Sequence, residues 1–207
     1  LLSATAFGWA DLVMVQKLEG EGQNGEMTLK IKGDRARIDM GPQTSVLTNL
    51  ETGELTTLMH GQKMYMVITP EMAQQFLKQA QQQGGEKPAA EVKLTPTGKK
   101  ETINGSETEI YTLDTGNMKA SYWIAKSYPN EAKVLAALKK LQNTPTARMA
   151  REMAPQPEEF PGVPLKTEVE LKGGQKVTTT VLSLTDEEVD AKEFAPPAGY
   201  QPLATPQ

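Results

Sequence analysis

Between Asp11 and Ile68 apolar and polar residues alternate with period two, and each alternating segment is closed by a turn-forming pair. Such a pattern leaves little choice of fold. Successive strand side chains point to opposite faces, so repeated short segments of this kind fold as an antiparallel meander with one dry and one wet face. LVMVQKL (Leu12 to Leu18) leads to Asn24-Gly25, a pair suited to the positive φ values of a hairpin turn. EMTLKIK follows, then Gly33-Asp34, then RARIDM; TSVLTNL, ELTTLM and KMYMVI come next, separated by Glu51-Thr52-Gly53 and His60-Gly61-Gln62. Parity places Met27, Leu29 and Ile31 on the dry face, with Ala36, Ile38 and Met40, and with Met64, Met66 and Ile68.

The period then changes. In PEMAQQFLKQAQQQGG, residues Met72, Ala73, Phe76, Leu77 and Ala80 recur at helical spacing, Thr69 can cap the helix and Pro70 suits its first turn. The Gly84-Gly85 pair stops it. Strand patterns resume in EVKLTP, TEIYTL and MKASYWIA, the last with Met118, Ala120, Tyr122 and Ile124 on one face. A second helix begins at Asn130 with Val134, Leu135, Leu138 and Leu141 inward, and Thr144-Pro145 restarts a turn carrying Met149 and Met153. VPLKTEVEL and QKVTTTVLSL form a last hairpin about Gly173-Gly174, and the proline-rich FAPPAGYQPL suits only an edge, with Phe194 and Tyr200 as plugs. The chain reads as a mainly β (α+β) fold: an antiparallel half-open β-barrel of about ten strands wrapped around two or three helices.

Composition narrows function by exclusion. A net charge of −4, with the 22 basic residues scattered, gives no footprint for nucleic acid. With no cysteine there is no thiolate metal site, thiol nucleophile or disulfide. LLSATAFGWA, residues 1–10, reads as the remnant of a signal peptide cleaved between Ala10 and Asp11, which makes 11–207 one exported, periplasmic domain. No other run has the ~20 apolar residues of a transmembrane segment.

Chemistry-bearing motifs are few. Gly20, Gly22 and Gly25 spell G-x-G-x-x-G, but a strand pattern follows where a dinucleotide site needs a helix. His60, the only histidine, sits beside Gly61 and reads as an exposed turn residue, with no G-x-S-x-G to accompany it. Glu158-Glu159 and TDEEVD (Thr185 to Asp190) read as solvated acidic loops without calcium spacing, and Asn104-Gly105-Ser106 as a turn. Arg35 and Arg37 share a face and offer an anionic headgroup contact, against a plain polar ladder in which Asp39 is their partner. No metal, cofactor or catalytic set emerges, and an enzyme, such as a hydrolase using the acidic loops, ranks last.

The methionines are the remaining signal. Met27, Met40, Met64 and Met66 place flexible, polarizable side chains where Val or Ile is usual, as suits an adaptable apolar surface or irregular core filling. KGDRARIDM, KMYMVI, the order of helices and strands, and the ending Phe194, Pro197, Gly199 and Tyr200 together resemble periplasmic carriers of the LolA and LolB type and RseB-like sensors. More closely they resemble an uncharacterised family of exported proteins with that fold. The resemblance implies a half-barrel that binds a hydrophobic or lipidated ligand without chemistry. Its groove would be lined by Met27, Leu29, Ile31, Ala36, Ile38, Met40, Met64, Met66, Met72, Phe76 and Leu77. The alternative is a solid-cored envelope module that binds another protein.

Overall fold

The computed structural model describes residues 11–20, 24–82, 93–116, 118–147, 160–171 and 173–203. Its strands are β1 (Leu12–Gly20), β2 (Gly25–Lys32), β3 (Arg35–Met40), β4 (Thr44–Asn49), β5 (Leu55–Met59), β6 (Met64–Ile68), β7 (Thr95–Ile103), β8 (Ser106–Asp114), β9 (Met118–Ala125), β10 (Val163–Leu171), β11 (Lys176–Asp186) and β12 (Gln201–Pro202). Helix α1 spans Pro70–Gln82, α2 spans Glu131–Gln142, and a 3-10 turn spans Ala191–Phe194.

All twelve strands join one sheet in the order β12-β6-β5-β4-β3-β2-β1-β11-β10-β9-β8-β7. Every pairing is antiparallel except that of β12 with β6. The fold is mainly β as the alternation predicts, and where a half-open barrel is expected the structure has an open sheet: β7 and β12 are its edges and do not pair with each other. The strand count exceeds about ten because the proline-rich tail contributes β12.

Register fixes the faces. Leu12, Ile31, Ala36, Thr48, Leu55 and Ile68 form one transverse row across β1 to β6. Met14, Leu29, Ile38, Val46, Thr57 and Met66 form the next, and Gln16, Met27, Met40, Thr44, Met59 and Met64 the third. α2 lies on this inner face. Its Val134, Leu135, Leu138 and Leu141 pack with Leu12, Met14, Leu29, Ile31 and Ala36, closing the main core. Lys133 of α2 pairs with Asp186 at the end of β11, and Lys140 Nζ donates to Gly33 O at the β2–β3 turn, so the helix lies toward the first-row end of the strands. Beyond it, Pro145 rests on Gly53 and Thr146 Oγ1 donates to Gly53 O.

A second cluster gathers Tyr111, Leu113, Ala120, Tyr122 and Ile124 with Phe160 and Val169. Trp123 and Ala125 belong instead to the main core, so the end of β9 is buried on both faces. Among the described residues no helix is long and apolar enough to cross a membrane.

Candidate functional site

The inner face divides into a closed part and an open part. Leu29, Ile31 and Ala36 are buried beneath α2. Met27, Ile38, Met64 and Met66 are half-buried, as are Val46, Thr57 and Met59 between them, and Met40 is 46% exposed. Strand parity therefore brings eight predicted groove residues onto one face, and α2 then separates them into core and open floor. The floor's lower row places Met27 opposite Met40 and Met59 opposite Met64. Direct cross-strand neighbours lie about 4.5–5.5 Å apart at Cβ, so these thioethers form two flexible pairs separated by Thr44. Met72 is half-buried in α1, whose first turn is capped by Thr69: Met72 N–H donates to its Oγ1 at 3.4 Å. The Phe76 and Leu77 side chains lie outside the described residues, as do Met149, Met153, Glu158, Glu159, residues 1–10, Gly22 and Gly84-Gly85.

The outer face of the same strands carries a polar network. Arg37 Nε donates to Asp39 Oδ1 at 2.7 Å, Nη2 to Ser45 Oγ at 3.1 Å and Nη1 to Glu193 O at 2.8 Å. Ser45 Oγ lies 2.5 Å from Asp39 Oδ1 and 2.7 Å from His60 Nε2, and His60 Nδ1 lies 2.7 Å from the Tyr200 hydroxyl. One assignment satisfies every group: Tyr200 donates to His60 Nδ1, His60 Nε2–H to Ser45, and Ser45 to the Asp39 carboxylate. The exposed-turn expectation for His60 is thus corrected. Its ring is half-buried and bonded at both nitrogens, because the C-terminal segment folds back over the sheet where local spacing shows only a turn.

The structure places the two arginines differently. Arg37 is 15% exposed, with three of its five N–H groups engaged as described, whereas Arg35 is more than half exposed and reaches Asp34 only at 3.9 Å. They do not converge. Nor does Ser45-His60 form a nucleophilic triad: the carboxylate bonds to the serine rather than to the histidine, and Ser45 is 1% exposed. Lys30 pairs with Glu193, and Phe194 beside it is buried in the 3-10 turn against β3. These contacts strap residues 189–203 across the outer face, which buries Leu47, Ser45 and Leu58.

The acidic run is spent on structure. Asp186 holds Lys133 and Asn130, Glu187 accepts from Thr185, and the Asp190 side chain caps the 3-10 turn through Lys192 N at 2.9 Å. Asn104-Gly105 takes the paired positive φ of a hairpin turn between β7 and β8, and Asn104 Nδ2 donates to Val181 O. Among the described residues no group of three or more His, Asp or Glu is placed to hold a metal ion.

An open, almost wholly antiparallel sheet with a helix on one face, a C-terminal strap on the other and a half-exposed methionine floor defines a mainly β scaffold. The chain belongs to the family described as Domain of unknown function (DUF4412), whose model matches residues 10–200. No curated protein matches the sequence. Among solved structures it is similar to PNGF-II in its C2 crystal form, at 10% identity and a TM-score of 0.41, covering 93% of this chain and 30% of that one. It thus spans under a third of that protein's length. It is also similar to a DUF1329 family protein from Desulfovibrio piger, at 10% identity, a TM-score of 0.34 and 90% coverage of both chains. A LolA superfamily protein from Nitrosomonas europaea aligns at 12% identity, a TM-score of 0.21 and 89% coverage of both. At these scores neither ligand nor activity is carried over.

Proposed function

We propose that this protein is a non-catalytic periplasmic binder or carrier of a hydrophobic or lipidated ligand, held on the inner face below α2. The half-exposed floor of Met27, Ile38, Met40, Met64 and Met66 carries this reading. A surface of thioethers adapts to acyl chains of differing length without fixed pockets. Burial of the chain would supply about 25 cal/mol per Å² of apolar area before ordering costs. Export rests on the signal-like residues 1–10, and the half-barrel architecture on the sequence resemblance to LolA-type carriers.

Native mass spectrometry of protein purified from its periplasm without detergent tests the reading, followed by organic extraction and lipid analysis. A discrete adduct, removed by extraction and absent from a Met40→Glu variant, is the expected result. Bare mass together with no uptake of a fluorescent fatty acid overturns it. A partner-binding module then takes its place, favoured by Leu171, Val177 and Leu182, which stand exposed on β10 and β11.

A further inference from the structure

The methionines of the open floor have cross-strand neighbours of one kind. Their transverse row runs Gln16, Met27, Met40, Thr44, Met59 and Met64, and the edge strand extends it with Gln201 of β12 opposite Met64. Two thioethers thus lie between an amide and a hydroxyl, and two more between that hydroxyl and a second amide. In the next row Met66 stands opposite Thr57. Every methionine of the floor has a side chain with an N–H or O–H donor one strand spacing away, about 4.8 Å. Met14 has none: it is 2% exposed, packed under α2, and lies between Leu29 and Leu184.

Exposure points the same way. Met40 is 46% exposed and Met27, Met59, Met64 and Met66 are half-buried, so an oxidant in solvent reaches these sulfurs and not that of Met14. The chain has no cysteine, so no thiol of its own competes for that oxidant. Oxidation turns a flexible apolar thioether into a polar sulfoxide. A sulfoxide oxygen shut away from any donor would destabilise the fold, whereas one beside Gln16, Thr44, Thr57 or Gln201 can accept a hydrogen bond where water does not reach.

We propose that Met27, Met40, Met59, Met64 and Met66 form a sulfoxide modification site, at which a hydroperoxide makes the apolar floor polar while the fold stands. The sulfur lone pair attacks one peroxide oxygen; the S–O bond forms as the O–O bond breaks, and the transferred oxygen's proton leaves with the departing hydroxide as water. Sulfur loses two electrons and the peroxide gains them. Return needs an external dithiol acting through a sulfoxide reductase, which yields a disulfide and water. Resting on the function proposed above, the consequence is release of a hydrophobic ligand under oxidising conditions.

The full chain, treated with hydrogen peroxide, is followed by peptide mass spectrometry, thermal melting and uptake of a fluorescent fatty acid. Met40 should oxidise first, the half-buried floor methionines next and Met14 last. The oxidised protein should melt within about 4 °C of the untreated one and hold the probe at least about tenfold more weakly. In a variant carrying Met27→Leu, Met40→Leu, Met59→Leu, Met64→Leu and Met66→Leu, probe affinity, whatever its starting value, should not move with peroxide. Gln16→Leu with Thr44→Val should lose more melting temperature on oxidation than the parent does. Oxidation of Met14 alongside Met40, collapse of the parent's melt on oxidation, or an unchanged probe affinity overturns the proposal. If the untreated protein takes up no probe, the binding reading falls, and the order of oxidation with the two melts decides the modification site by itself.

Discussion

Tyr122 places its ring edge-on to Phe160, with centroids 5.3 Å apart, and burial pushes its phenol up to about 12. An unfolded tyrosine ionises near 10, so the fold resists the phenolate. The stability this group contributes is whole below about pH 10 and is lost as pH rises toward 12, by roughly 2–3 kcal/mol. Urea denaturation between pH 9 and 12 should show that fall in the native protein and a shallower one in Tyr122→Phe; parallel curves would mean the ring is not the group responsible. His60 makes the complementary case. Replacing it by Ala strips two bonded nitrogens from the outer network and should cost about 1–3 kcal/mol, and Tyr200→Phe about 1 kcal/mol. A double-mutant cycle should return a coupling of at least about 0.5 kcal/mol, whereas strictly additive costs would mean the pair ties nothing together. Neither role is legible from local spacing. Tyr200 lies 140 residues from His60, and Ser45 is one polar residue among several in an alternating strand. The parity of Met27 to Met66 is legible, because one residue of register shift would turn a whole strand over and the buried row forbids it.

Elements show the same division. Helix α2 is readable from Val134, Leu135, Leu138 and Leu141, and α1 from its period and the Thr69-Pro70 start. β7 is not. The alternating EVKLTP points to residues 91–96, yet the strand runs Thr95–Ile103 and is exposed everywhere before Ile103, so no apolar period marks it. Its edge position explains the lack of pattern: Gly98, Lys99 and Lys100 interrupt and charge a strand that has a partner only in β8. The restart at Thr144-Pro145 gains meaning only in the fold, where it holds the end of α2 on the β4–β5 turn. Gly53 has φ +77°, and a Cβ there would stand 2.7 Å from Pro145 Cδ. Gly53→Ala should therefore cost about 1–3 kcal/mol and speed amide exchange in the last turn of α2. Unchanged exchange at Leu141 and Asn143 would show that the helix holds its place without this turn.

At the scale of the whole molecule, an open sheet must protect two edges. β7 does so with lysines, and β6, the most methionine-rich strand, is covered by two residues: Gln201 N–H donates to Lys63 O at 2.9 Å and Leu203 N–H to Tyr65 O at 2.7 Å. Ending the chain at Pro197 removes both bonds and Tyr200. The bared KMYMVI edge should then pair between molecules, giving concentration-dependent oligomers in light scattering; a monodisperse monomer at high concentration would mean that β6 needs no cover. The topology could not be read from the sequence because only long-range pairing joins β1 to β11 and leaves β7 and β12 apart. Burial on both faces at the end of β9 has a mechanical side. Tyr122 to Ala125 are held from two directions, while β6 is half-exposed along its length. The sheet is therefore held most firmly at β9 and least at β6, which has only β5 and the two residues of β12 beside it. Under the proposed function, an occupant bulkier than the floor would be accommodated by bending at β6, and the limit on its size would be a bending modulus rather than a volume.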